Sequence, residues 1–443
     1  MRPHAPVHTA AVLAFAFVTV ATATSIAQDY ETPPDQAAAQ ALPAEVLAGP
    51  EHSVADPVRS DGVMNRYALV SRFGSYDVHG RALLAIRIQE IGALAELDRV
   101  SKSEVFLKAV GRSVTAPLQT AVDFVEKPVE TVTGVPRGVA NLFKTYRLKA
   151  REATGKAKEA AGKAKSAADG TSEDRKDTLA KAGEKAMSEA KSYALRHLGV
   201  TSAERLWYAK LGVDPYTTNE PLRVAVTRVA RIDATAQFGL RFAGIPSIPG
   251  IDIARQGMDA IWQEDPLVIR DRNRRFLKSL GLDEEERRRF EDNVALSPMH
   301  QLTLLQMART LAGVGERGEL IRRALDVSEE EEALALIDSV ALLVRLHGES
   351  PLAEIVGGIR LPAARTRDGR LVVCAGFDAL YWTERVADGA RQIALAYRDA
   401  AASERQFRLA GTASPRLRTE VESLGWKVHD NAGASAAPAR SKT

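Results

Sequence analysis

The 443-residue chain carries 60 Lys and Arg against 57 Asp and Glu, a formal net charge of +3, with 45% hydrophobic and 26% charged residues. This is the make-up of a globular chain long enough for two or three domains of roughly 100–200 residues each, and it provides no global field to attract nucleic acid. Aromatics at 6% leave few base-stacking platforms, and a single cysteine, Cys374, excludes an intramolecular disulfide, a cysteine-based zinc site and an iron–sulfur cluster.

Residues 1–27 read as a secretory signal peptide. Arg2 precedes an uncharged run from Thr9 to Ala23, and the small residues Ser25 and Ala27 fit a cleavage before Gln28. The run is shorter than the ~18–20 residues of a spanning helix. The expected location is therefore outside the cytoplasm, periplasmic or secreted. A chain exported with one thiol must rely on packing rather than cross-links. Residues 28–60 hold Pro33, Pro34, Pro43, Pro50 and Pro57 with no sustained period, and read as a flexible leader.

Residues 61–147 open with one or two short strands within 66–80 and turn helical from Arg81, where Leu84, Ile88, Ile91 and Leu94 share a face. A second apolar stripe follows at Val110, Val114, Leu118, Val122 and Val125. It is interrupted by Pro117, ended by Pro128 and flanked by Lys108, Arg112, Lys127, Arg137 and Lys144. An apolar face with basic edges suits three surroundings: the protein's own core, a partner protein or a membrane surface. Residues 148–195 are an Ala/Lys/Glu segment in which GKAKEAA (155–161) and GKAKSAA (162–168) repeat with a period of seven. It favours helix but offers little apolar area to bury. The repeats resemble those of late-embryogenesis-abundant proteins, over too short a stretch to imply a function.

Residues 196–350 read as a helical domain. Asn219 and Pro221 open a helix bearing Leu222, Val226 and Val229, and Ser297–Pro298 opens one bearing Leu304, Met307, Ala308 and Leu311. Ser328 with Glu331 forms a capping box before Leu336, Val340 and Leu343, and His347 with Gly348 closes that helix. Arg270, Arg272, Arg274, Arg275 and Lys278 make a basic patch that reads first as an ordinary solvated face; a partner for it outside the cytoplasm would be anionic.

In residues 358–430, Asp368–Gly369 between Ile359–Ala364 and Leu371–Ala375 signals a hairpin. Thr383 caps a helix bearing Val386, Ala390, Ile393 and Tyr397. Ser414–Pro415 starts another with Leu417, Val421 and Leu424, and strands at Gln406–Ala410 and Trp426–His429 complete a small module with one βαβ unit. Residues 431–443 read as a disordered tail. The expected fold class is mainly α: a multi-helix domain with a low-complexity helical segment and a small C-terminal α/β module.

The six histidines beyond residue 27 lie too far apart in sequence for a helical His-x-x-x-His pair, and no G-x-S-x-G, H-E-x-x-H or Walker motif occurs, so neither a metal nor a cofactor is expected. Cys374, inside LVVCAG, reads as a buried inert thiol. Asp378, Ser414 and His429 could be written as a hydrolytic triad, but a helix cap explains Ser414. The expected function is a non-enzymatic interaction or structural protein of the cell envelope, working with an envelope protein partner or an anionic membrane surface and not with nucleic acid. The alternatives are a peripheral membrane protein using residues 104–149 and a hydrolase with an unrecognised site between the helical and α/β parts.

Overall fold

The computed structural model describes residues 30–104, 106–107, 200–232, 261–262, 264 and 266–432. The signal peptide, the 148–195 segment and the basic amphipathic stripe (Lys108, Val110, Arg112, Val114, Leu118, Val122, Val125, Lys127, Arg137 and Lys144) all lie outside these residues.

Residues 30–60 are built into the fold rather than forming a leader. Short helices α1 (Ala38–Ala41) and α2 (Ala44–Leu47) lead into β1 (Ala48–Gly49) and β2 (His52–Ser60). With β3 (Asn65–Ser71) and β4 (Gly74–His79) these strands make a four-stranded antiparallel sheet in the order β1-β2-β3-β4. The pattern of β3 is the plain one: Asn65, Tyr67 and Leu69 are buried, and Arg66, Ala68 and Val70 are exposed between them. β2 has no such signature. It buries Val54 and Val58, four residues apart, and exposes Pro57 where its pairing with β3 slips register between Ala55 and Arg59. An irregularity of that kind is where a strand tolerates proline. The fold is therefore not mainly α. The described residues are 50% helical and 19% strand, and the strand lies in sheets of four, five and two strands.

The four-stranded sheet shares a core with α3 (Arg81–Ser101), α4 (Ser202–Leu211) and α5 (Glu220–Ile232). On α3, Leu84, Ile88, Ile91 and Leu94 are all buried, and they meet Trp207, Leu211, Leu222 and Val226. Thr201 and Glu204 cap α4 reciprocally, and Gly212 ends it in the left-handed region.

A second core gathers α6 (Pro266–Ser279), α7 (Glu284–Asp292), α8 (Pro298–Thr310), α9 (Gly318–Ala324) and α10 (Glu330–Glu349) against one face of the five-stranded sheet. That sheet contains β5 (Leu352–Val356), β6 (Ala363–Thr366), β7 (Leu371–Ala375), β9 (Arg405–Leu409) and β11 (Lys427–His429), in the order β11-β9-β7-β6-β5. β5, β6 and β7 are antiparallel neighbours, with Asp368–Gly369 in the β6–β7 turn, while β7, β9 and β11 run parallel. The parallel crossovers hold β8 (Ala379–Leu380), α11 (Glu384–Ala396), β10 (Thr412–Ala413) and α12 (Pro415–Ser423). Asn431 and Ala432, assigned by sequence to the tail, donate their N–H groups to the Gly411 and Leu409 carbonyls.

One sequence expectation is corrected in detail, and two features gain partners. The α10 N-cap is Glu329, and Ser328 pairs through its N–H and hydroxyl with Glu332 rather than Glu331 (2.9 and 3.0 Å), which leaves Glu331 facing elsewhere. His347 closes the helix as expected and also accepts the Leu352 N–H at Nδ1 (3.1 Å), which ties the end of α10 to β5. The α6 basic patch is partly neutralised within the chain, with Arg272 on Glu264 and Arg274 on Glu291, each at 2.8 Å.

A buried polar network links the two cores. Arg87 on α3 donates to Glu90 (2.7 Å) and to Glu330 at the start of α10 (3.0 Å). Glu90 also accepts from Asn219 (3.0 Å) and Thr217, and Glu330 accepts from the Thr218 hydroxyl (2.7 Å). Burial works against the Arg87 charge, yet Glu90 and Glu330 outweigh it and raise its affinity for the proton. Burial likewise lifts Glu330, but Arg87, His300 and the Thr218 bond hold it below the usual carboxylate range.

Candidate functional site

The crossover from β7 to β9 carries the feature that stands out from ordinary packing. Thr383 accepts the Val386 N–H and opens α11, and Trp382 just before it is buried, its carbonyl accepting the Glu31 N–H and its N–H donating to the Glu31 carboxylate. At the other end the Arg405 guanidinium donates to the carbonyls of the C-cap Tyr397 and of Arg398 and Ala400 just beyond it (3.1–3.3 Å), pinning the segment where the helix stops. Tyr397 is buried, donates its hydroxyl to Gly357 O (2.8 Å) and meets the Trp426 ring at 6.2 Å. The helix is thus held at both ends. Between them only Ala387 is buried, and α11 packs closely along no other helix or strand among the described residues.

The Val386–Ala390–Ile393 stripe forms one wall of a half-open cleft of about 800 Å³. Leu417, Val421 and Leu424 of the α12 segment form a facing wall, Phe407 of β9 lines it from the sheet, and Leu336 and Ala335 of α10 close one side. The lining is mostly aliphatic and aromatic, and the charges sit among it as a rim. Asp61 pairs with Arg385 (3.0 Å), and His79 Nδ1 lies 3.9 Å from Glu331. Arg323, although it lines the cleft, is turned onto the carbonyls of Val356 (2.6 Å) and Leu361 (2.9 Å) and onto Glu319.

Beside the cleft, β7 is followed by Gly376, which lies against α10. A side chain there would meet Ala335 O, Asp338 Cβ (2.6 Å) and Ser339 N (2.8 Å), so the approach of strand to helix requires glycine. Ser339 accepts the Gly376 N–H (2.7 Å) and donates to Ala335 O (2.7 Å), and both bonds serve this junction. Two residues on, the Asp378 carboxylate accepts the N–H groups of Asn65 (3.1 Å) and Arg81 (3.0 Å) and so holds the first turn of α3 from 297 residues away. Burial pushes Asp378 up, against Arg81 and these bonds.

Asp338, beside this junction, is pushed up to about 7 by burial and by the like charge of Asp378, with Arg81 opposing. An acid whose folded pKa is raised favours the folded state fully below its unfolded value of 3.8 and loses that advantage as pH climbs to about 7. Asn at this position cannot ionise. Asp338→Asn is therefore expected to match the parent at pH 4 and to exceed it by about 2 kcal/mol at pH 8, read from urea midpoints across that range.

The three residues weighed as a triad have separate duties. Asp378 holds α3 and β3. Ser414 caps α12 through the Leu417 N–H (3.0 Å) and donates to Glu31 (2.6 Å), and His429 sits on the edge strand β11. Cys374 is buried in β7, and burial pushes its thiol up to about 12. Among the described residues no cluster of His, Cys, Asp and Glu could hold a metal ion, and no helix is long and apolar enough to cross a membrane. Sequence reasoning finds both stripes that wall the cleft but not the cleft itself, because periodicity shows that a face is apolar without showing what covers it.

No protein-family model, no curated protein and no solved structure matches this chain.

Proposed function

We propose that the chain is a non-enzymatic interaction protein of the cell envelope, exported by its N-terminal segment, and that the cleft beneath α11 holds an apolar segment of its partner. One observation carries the reading: an amphipathic helix is fixed at both ends while its apolar stripe faces open space instead of the sheet. Such a stripe costs free energy in water, at roughly 25 cal/mol per Å² of apolar area, and an occupant would recover it.

The test uses N-phenyl-1-naphthylamine, a neutral fluorophore that brightens in apolar surroundings. The parent protein is expected to bind it with micromolar affinity. Ala390→Trp, which fills the cleft from the α11 wall, is expected to weaken binding at least about tenfold without lowering the unfolding midpoint. A parent that does not bind, or a Trp variant that binds equally well, contradicts the reading. The cleft's position between α10 and the α/β part also favours the hydrolase alternative. Ester turnover by the parent that is lost in His79→Gln would replace binding with catalysis.

A further inference from the structure

We infer that the occupant of the cleft is a basic amphipathic helix of a partner protein, a row of aliphatic side chains flanked by lysine or arginine; the inference rests on the binding reading above. Two features point to a helix. The walls are themselves helical stripes, Val386–Ala390–Ile393 and Leu417–Val421–Leu424, each spaced at three or four residues. A third helix presents anchors at the same spacing and can seat them between two such rows, which is how helices are recognised in grooves. A compact ligand has no such repeat to match.

The sign of the flanking charge follows from the rim. Five carboxylates line the cleft against three guanidiniums and His79. Of the three, Arg323 is committed to backbone carbonyls and Glu319, and Arg385 is paired with Asp61; Asp388 is paired with Arg391 (3.1 Å), which leaves Glu329, Glu331 and Glu332 against Arg360 and His79. Glu329, Glu331 and Glu332 stand together at the start of α10. Glu329 is exposed and makes no ion pair among the described residues, and Glu332 is engaged by Ser328 alone. The uncompensated charge at the mouth is negative, so a helix flanked by cations gains there and one flanked by carboxylates is repelled.

The experiment displaces N-phenyl-1-naphthylamine from the full-length protein with synthetic peptides that share one leucine-based amphipathic pattern and differ only in Lys or Glu flanks. The Lys-flanked peptide is expected to bind about tenfold tighter at low salt, with the advantage shrinking as salt is added. The E329K/E332K variant is expected to abolish the preference while its affinity for the neutral dye stays unchanged. Equal displacement by both peptides, or stronger displacement by the Glu-flanked one, overturns the inference and leaves the binding reading standing. Displacement by a single-chain cationic amphiphile but by neither peptide overturns it in favour of a small ligand. Tighter binding of a peptide of residues 104–127 of this chain than of the generic Lys-flanked peptide overturns the partner in favour of the chain itself. If the dye does not bind at all, the binding reading itself falls.

Discussion

Arg87→Ala is expected to lower stability by about 3–5 kcal/mol, the range for removing one member of a buried ion pair. The loss is not mainly that of a contact. Glu90 is 1% exposed, and its carboxylate would keep Thr217 and Asn219 but lose its guanidinium; Glu330 would lose the same cation. The Glu90 charge would then sit in a poorly polarisable interior without its cation, while Glu330, whose side chain is 22% exposed, would keep some contact with water. Arg87→Met together with Glu90→Leu removes both charges, and is expected to recover a large part of what the single change loses. Urea unfolding of the two variants beside the parent checks this. A single variant within about 1 kcal/mol of the parent would show that the network is solvated and not what links the two cores.

Gly376→Ala is expected to cost about 3 kcal/mol or more, because the added carbon has nowhere to go. Its obstacles are the Ala335 carbonyl, Asp338 Cβ and the Ser339 N–H, and two of these three are helix backbone, which cannot swing aside. The relief is to move β7 away from α10, which also breaks the Gly376–Ser339 hydrogen bond and shifts the side of the cleft that Leu336 and Ala335 form. Dye affinity and stability should therefore fall together. Gly389→Ala is the control: Gly389 lies within α11, lines the same cleft and has nothing within 4 Å of its missing side chain. That variant should gain as much as about 1 kcal/mol from helix propensity alone. Equal behaviour of the two variants would contradict the close approach at Gly376.

Much of the local structure is legible in the sequence because its causes are local. The Ser297–Pro298, Thr383 and Ser414–Pro415 caps each accept an N–H three residues ahead, as their residue types demand. Asp368–Gly369 turns the chain between β6 and β7, with Gly369 at a φ of 87°. Of the N-terminal sheet, β3 and β4 fall where short strands were expected within 66–80, but β1 and β2 were not legible, since β2 is held by pairing to a later strand and carries Pro57 at its irregular point. The Arg87 network joins residues as much as 243 apart, and no spacing announces it. The cleft was the least legible of all. It exists because Glu31, Gly357, Arg405 and Trp426 fix the ends of α11, and none of these residues adjoins the helix in sequence.

The central claim, that the inner face of α11 is an open binding face, is tested most directly by thiol labelling. The native Cys374 is buried with a raised pKa and should react negligibly, so an introduced cysteine reports alone. Ile393→Cys points into the cleft and Leu395→Cys, at a position 66% exposed, reports on the outer face. Both are predicted to react readily with a maleimide, and saturating N-phenyl-1-naphthylamine is predicted to slow labelling at 393 about tenfold while leaving 395 unchanged. A thiol at 393 as protected as Cys374 in the free protein, or one whose labelling the fluorophore does not alter, would contradict the account.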